Sequence, residues 1–308
     1  MNSVINNPIP SLKGILKKAS FALSLCGLAS SLCSAGLLFE YDAAADTPGN
    51  GSWMDEQGNQ NLTFVSGSPS PVDVSGDSNY FTAAYKFGGA SSVIGGNAGN
   101  SSWPALGLLT GSTYEMWVRP TAIPVGDRQI LLELGSSFRG LSISLDTDGS
   151  VLGLVKNGSA NTSPNIVVNT SDITSTLTAG EFVQVVFRFD NDTINTESTG
   201  SFFINGVSNG ATTIASDLTF QANDVSGLGR EFSQTGGTQR DSGTYARSTF
   251  TNYDGQYALV RIYDNALSDA DILANYNAIA IPEPSTYAMI FSGLMLGLVM
   301  IRRRIAGR

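Results

Sequence analysis

Short apolar runs with a repeat of two, each closed by a turn, are what most limits the folds open to this chain. In Leu141-Ser142-Ile143-Ser144-Leu145 every second residue is apolar, as in a strand that buries one face and wets the other. Asp146-Thr147-Asp148-Gly149 follows, then Val151 to Val155; an Asp-Gly pair between two such runs marks a hairpin. From Phe182 to Phe189, residues Val183, Val185, Phe187 and Phe189 share one face, while Gln184 and Arg188 point the other way. Phe202-Phe203-Ile204 runs into Asn205-Gly206, a tight-turn pair, and Tyr114, Met116 and Val118 line one side of a strand that ends at Pro120. Many short strands with Gly-, Ser-, Thr- and Asn-rich connections and hardly a helical period predict an all-β antiparallel sandwich. One short helix is expected near the end of this region. Ser268 is a good N-cap, Asp271 sits at the capping-box position, and Leu267 with Ile272 can form a hydrophobic staple. Ile272, Leu273 and Tyr276 would then bury one side of a helix that closes the sandwich.

Neither end reads as part of this sandwich. Lys13, Lys17 and Lys18 precede an apolar run from Ala19 to Leu32 and small residues at Ser34-Ala35. This is the pattern of a secretory signal peptide over residues 1–35, cut near Ala35. A retained anchor is the alternative, but the run is short for a spanning helix. Both cysteines, Cys26 and Cys33, lie inside it, so the exported chain is expected to carry no disulfide and no cysteine-based metal or redox site. At the other end, Ile281-Pro282-Glu283-Pro284-Ser285-Thr286 leads into the uncharged stretch Tyr287–Ile301 and then Arg302-Arg303-Arg304. An apolar stretch followed at once by arginines is a stop-transfer element, because moving the arginines through the bilayer is costly. The prolines keep the chain extended just before it, as a processing enzyme requires.

Pro282-Glu283-Pro284, the apolar segment and Arg302, Arg303 and Arg304, in that order, resemble the PEP-CTERM sorting signal of Gram-negative bacteria. The resemblance covers residues 281–308. It implies recognition by an exosortase, export across the inner membrane, transient anchoring there through residues 287–301, and a final place on the cell surface or in the extracellular matrix of an exopolysaccharide producer.

Residues 36–280 are left as one domain, long enough to bury a large core. Lys and Arg number 17 and Asp and Glu 26 over the whole chain, for a net charge of −9. The two end segments hold seven of the basic residues and one acidic residue, so this domain carries ten against 25, near −15. Such a charge argues against nucleic acid or an anionic membrane surface as a partner.

Tyr114 to Thr121 is similar to the "E-x-W-V-R-P" strand of laminin-G-like, concanavalin A-like jelly rolls. Gly140 to Val155 resembles their next hairpin, Glu181 to Val207 the strand pair ending in an Asn-Gly turn, and Tyr253 to Ser268 the closing strand and helix start. Phe39 to Phe87 fits more loosely as the opening strands. The acidic pair common in the closing strand is Ala258-Leu259 here, which reads as a core change. Arg230 to Asn252 reads as an extended loop.

The resemblance leaves function open. The same jelly roll hosts glycoside hydrolases, which need two carboxylates about 5 Å apart for retention, and no Glu-x-Asp-x-Glu strand occurs. The chain has no histidine, which removes Ser-His-Asp and histidine-metal chemistry. No catalytic residue is assigned and the chain is expected not to be an enzyme. Calcium is the one cofactor considered, with Asp146, Asp148, Asp190 and Asp192 as candidate ligands, although a hairpin turn and a loop start are their plainer roles. Trp53 and Trp103 could stack on a sugar, although burial in the core or under a loop is their plainer role. The expectation is an exported, non-catalytic surface or matrix protein that binds carbohydrate or exopolysaccharide. The alternatives are a structural or adhesive matrix protein that binds proteins or itself, and a diverged glycoside hydrolase.

Overall fold

In the computed structural model the alternating runs pair into two facing antiparallel sheets. The structure describes residues 36–46, 51–66, 69–88, 92–95, 111–135, 140–156, 165–170, 181–192, 194–216, 218, 226–230 and 250–280, with Met295 and Arg302. The first sheet runs in the order β14 (Val207–Ile214), β13 (Glu197–Ile204), β12 (Val183–Asp192), β7 (Gly111–Pro120), β17 (Asp254–Tyr263), β5 (Ala83–Gly88), β4 (Ser70–Asp73). β1 (Leu37–Asp42) pairs with the later half of β17. The second runs β11 (Asn165–Asn169), β10 (Val151–Lys156), β9 (Gly140–Leu145), β8 (Arg128–Gly135), β15 (Gly227–Leu228), β6 (Ser92–Gly95), β3 (Leu62–Ser66), β2 (Ser52–Trp53). β16 (Phe250–Asn252) joins β8 in parallel, so the expected 230–252 loop ends in a strand.

The inner faces are the ones the period-two reading selects. Tyr114, Met116 and Val118 of β7 and Val183, Val185, Phe187 and Phe189 of β12 pack in one core with Leu132, Leu134, Ile143, Leu145, Val151 and Val155 of the second sheet. Removing such aliphatic and aromatic area from water is the main stabilising term, at about 25 cal/mol per Å2. Gly153 belongs to this packing: a Cβ there would stand 2.6 Å from Cε2 of Phe187, so only glycine lets that ring cross β10. The Asn205-Gly206 hairpin turn takes φ of 51° and 76°, both left-handed, as a two-residue turn of this type requires.

The outward positions depart from the simple alternation. Ser142 and Ser144 are 8% and 2% exposed and Gln184 is fully buried, so these strands are covered on both faces. Helix α1 (Asp269–Ala280) supplies the cover over the first sheet. Its start is as expected: Ser268 Oγ accepts the amide of Asp271 at 3.1 Å, and the amide of Ser268 donates back to Asp271 Oδ2 at 3.3 Å. Leu267 and Ile272 share a buried cluster. The buried side, however, is rotated from the expected one. Leu273 is 43% exposed and Asn275 takes the inward position, because a carboxylate beneath the helix requires a donor there. Tyr276 lies flat on Trp117, with ring centres 5.7 Å apart.

Candidate functional site

Both outer faces of the sandwich bury a glutamate, and the neighbours decide what each can do. On the first sheet Glu115 points away from the core, beneath α1. Its Oε1 accepts Trp117 Nε1 at 3.1 Å and Gln184 Nε2 at 2.8 Å. Its Oε2 accepts the Tyr263 hydroxyl at 3.3 Å and Asn275 Nδ2 at 3.1 Å. Arg261 Nη1 stands 3.9 Å away, while the same guanidinium holds Glu40 through Nη2 at 2.8 Å. Burial, then the charge of Glu115, pushes the Tyr263 phenol above its ordinary range. Burial opposes the Arg261 charge, but Glu115 and Glu40 outweigh it and raise the pKa. Five donors converge on one carboxylate that is 1% exposed. That arrangement pins a helix to a sheet and leaves no lone pair for a substrate.

On the second sheet the outward row across β8, β9 and β10 contains Glu133, paired in register with Ser142, which is itself opposite Leu154. The neighbouring row contains Ile130, Ser144 and Leu152. Glu133 is 1% exposed and engaged by neighbours. Among the described residues the acids on this face are Glu133 and, at its margin, Asp146, whose Oδ2 binds Arg128 Nε at 2.7 Å. Four residues of strand separate Ser142 from Asp146, about 13 Å along the sheet, which is beyond the carboxyl spacing of either glycosidase geometry. Ser142, Ser144, Ile130, Leu152 and Leu154 of these rows are buried with it, so this face too is covered and Glu133 is part of its packing.

The aspartates proposed for calcium fall at opposite ends of the sandwich. Asp146 and Asp148 form the β9–β10 turn: Asp146 Oδ1 accepts the amide of Thr147 at 2.7 Å, and Asp148 Oδ1 accepts the amide and hydroxyl of Ser150 at 2.9 and 2.6 Å. The Ser150 bonds hold Asp148 below the usual carboxylate range. Asp190 and Asp192 lie at the other end of β12, Asp190 opposite Gly111. Asp192 Oδ1 accepts the amides of Ile194 and Asn195 at 3.0 and 3.1 Å. Among the described residues no three acids, histidines or cysteines stand close enough to share a metal ion.

Trp53 is fully buried, 4.9 Å from the ring of Tyr85 and 5.9 Å from that of Tyr41, so it lies in the core and not on a sugar-stacking surface. Trp103 lies outside the described residues. So do residues 1–35 and, Arg302 apart, the sorting residues Pro282, Glu283, Pro284, Arg303 and Arg304. No described helix is long and apolar enough to cross a membrane.

Sequence reasoning missed three carboxylates. Glu115 and Glu133 each interrupt a run of apolar and aromatic residues on a strand buried on both faces, and that interruption was the available signal. Asp55 gave none. It is 5% exposed and organises the 55–61 loop, accepting the amides of Glu40, Gln57, Asn59 and Gln60 at 2.9, 3.1, 2.8 and 3.0 Å.

A family described as the concanavalin A-like lectin/glucanases superfamily matches residues 95–273. The PEP-CTERM protein-sorting motif matches residues 280–304. No curated protein matches. Among solved structures, the chain is similar to domain 4 of AbnA, a GH43 extracellular arabinanase from Geobacillus stearothermophilus, solved with arabinotriose. The identity is 18%, the TM-score 0.52, and the likeness covers 78% of this chain and 98% of that one. It is also similar to the binding domain of botulinum neurotoxin DC, solved with SialylT, at 14% identity and a TM-score of 0.54 over 79% of this chain and 52% of that one. The binding domain of Paraclostridial Mosquitocidal Protein 1 is similar at 17% identity and a TM-score of 0.52, over 79% and 52%. The chain therefore spans about half the length of these toxin binding domains. At these identities the likeness is one of fold.

Proposed function

The chain belongs to the concanavalin A-like lectin/glucanases superfamily and carries a PEP-CTERM sorting motif, and from that premise we propose that it is an exported, non-catalytic surface or matrix protein that binds carbohydrate through its sandwich. An exosortase-type enzyme processes its C-terminus. The observation that carries this reading is the direct succession of the two parts: the closing helix of the sandwich ends at Ala280, where the sorting motif begins. The motif places the chain among proteins exported and sorted in Gram-negative bacteria, and the superfamily is one of lectins and glucanases.

One feature favours binding over hydrolysis. The outward acids of the second sheet are too far apart for a glycosidase pair, and one of them is held by Arg128. Calcium, if it takes part, would enter at the Asp146–Asp148 turn, which borders this face.

The chain from Gly36 to Ala280 is expected to bind the exopolysaccharide of the producing bacterium saturably. Loss of that binding on chelation would make it metal-dependent and point to the aspartate loops. No binding with calcium or with chelator would refute the carbohydrate reading for that polymer and leave the structural or adhesive role. Deleting the exosortase is expected to leave the full-length chain in the inner membrane. An unchanged mass of the surface form would refute processing.

A further inference from the structure

We propose that, while its tail is attached, the domain rests on the bilayer by one defined end, and that the β7–β8 connection touches lipid there. This rests on the reading of the tail as a membrane anchor. The direction of α1 selects the end. The Thr113 hydroxyl accepts the amide of Leu267 at 3.0 Å and donates to the carbonyl of Asn265 at 2.9 Å, so the helix starts near the Gly111 end of β7. Asn275 then lies over Glu115 and Tyr276 over Trp117. Ile279 and Ala280 finish against the cluster of Trp117 and Phe182, and Val183, next to Phe182, pairs with Val118. The helix therefore runs with β7 and delivers the chain at the Pro120 end.

Six residues, 281–286, separate Ala280 from the apolar stretch that begins at Tyr287. Fully extended they reach about 20 Å, and the headgroup layer takes up several of those ångströms. The Pro120 end must then face the membrane closely. The connection that leaves Pro120 is fitted to that position. Thr121 to Gly126 carries no charge, and its Val125 is 97% exposed and Ile123 39% exposed. Asp77 and Asp146 pair there with Arg119 and Arg128, and Asp127, Asp148 and Asp254 leave this end net acidic, which selects a zwitterionic lipid surface over an anionic one. The opposite end offers its own control. Ile194, in the β12–β13 turn beyond Asp192, is 92% exposed and would point away from the bilayer.

The test uses the exported chain, residues 36–308, which lacks the apolar run of the signal peptide and contains no cysteine. An environment-sensitive label is placed at Val125→Cys or at Ile194→Cys, and the protein is reconstituted into phosphatidylcholine vesicles containing a spin-labelled lipid. The expected result is blue-shifted emission and severalfold stronger quenching at position 125 than at 194, with less quenching when phosphatidylserine replaces part of the phosphatidylcholine. Equal quenching at the two positions in chain that floats with the vesicles would overturn the proposal and leave the anchor intact. Stronger quenching with phosphatidylserine would overturn the apolar contact as its basis. Chain that does not float would refute the anchor, and the proposal with it.

Discussion

Glu115 and Glu133 are equally buried, each 1% exposed on an outward position of its sheet, yet the two faces close around them differently. Glu115 lies under α1 and draws donors from β7, β12, β17 and the helix. Glu133 lies in register between Ser142 of β9 and Gly227 of β15, is engaged by neighbours, and no described helix covers it. Burial of a carboxylate is therefore not by itself a functional sign. A carboxylate surrounded by the chain's own donors is spent on structure.

The largest effect that would test this contrast is at Glu115. Glu115→Ala leaves Arg261 and four neutral donors facing a void, and is expected to cost about 3–5 kcal/mol, read from urea unfolding. A loss below about 1 kcal/mol would remove the structural role. The partner experiment is Glu133→Gln, which preserves shape. It is expected to cost less unfolding free energy than Glu115→Gln, since no described helix is held through it; the reverse order would invert the contrast between the two faces.

Ser268→Ala tests whether the helix over Glu115 depends on its cap. About 1 kcal/mol should be lost, with glycan binding unchanged. The smallest effect is expected at Asp42, where burial and then the nearby charge of Glu40 raise the pKa despite the amide of Ala44 on Oδ1. A raised folded-state pKa in an acid is a penalty on the charged form, complete above that pKa and absent below the unfolded value. Asp42→Asn should thus stabilise the fold slightly at neutral pH, and the gain should vanish as the pH falls below the ordinary carboxylate range. Thermal unfolding at several pH values would check it.

The strands were legible because inward residues obey a strict repeat of two, as in Val183, Val185, Phe187 and Phe189. The outward residues were not, because what covers a sheet comes from distant sequence. Nothing near Gln184 announces that Glu115, 69 positions away, will accept its amide. The helix cap could be read from Ser268 and Asp271 alone, since it is a local device. The rotation of the helix could not, since Asn275 turns inward for a carboxylate 160 residues earlier. Trp53 is buried, as the plainer reading of it had it, but the tyrosines that enclose it, Tyr41 and Tyr85, come from elsewhere in the sequence.

The placement of β17 has a consequence for when the protein can fold. It is the last strand in sequence but lies inside its sheet, with β7 on one side and β5 and β1 on the other. The Arg261–Glu40 pair that joins it to β1 spans 221 positions. Contacts of that separation form slowly and late. A chain threaded N-terminus first through a membrane thus keeps β1 and β5 without their shared neighbour until β17 has emerged. Only α1 separates β17 from the sorting motif. Completion of the sheet and arrival of the tail then become nearly one event, and until that moment the edges of β1 and β5 that face β17 stay open to wrong pairing.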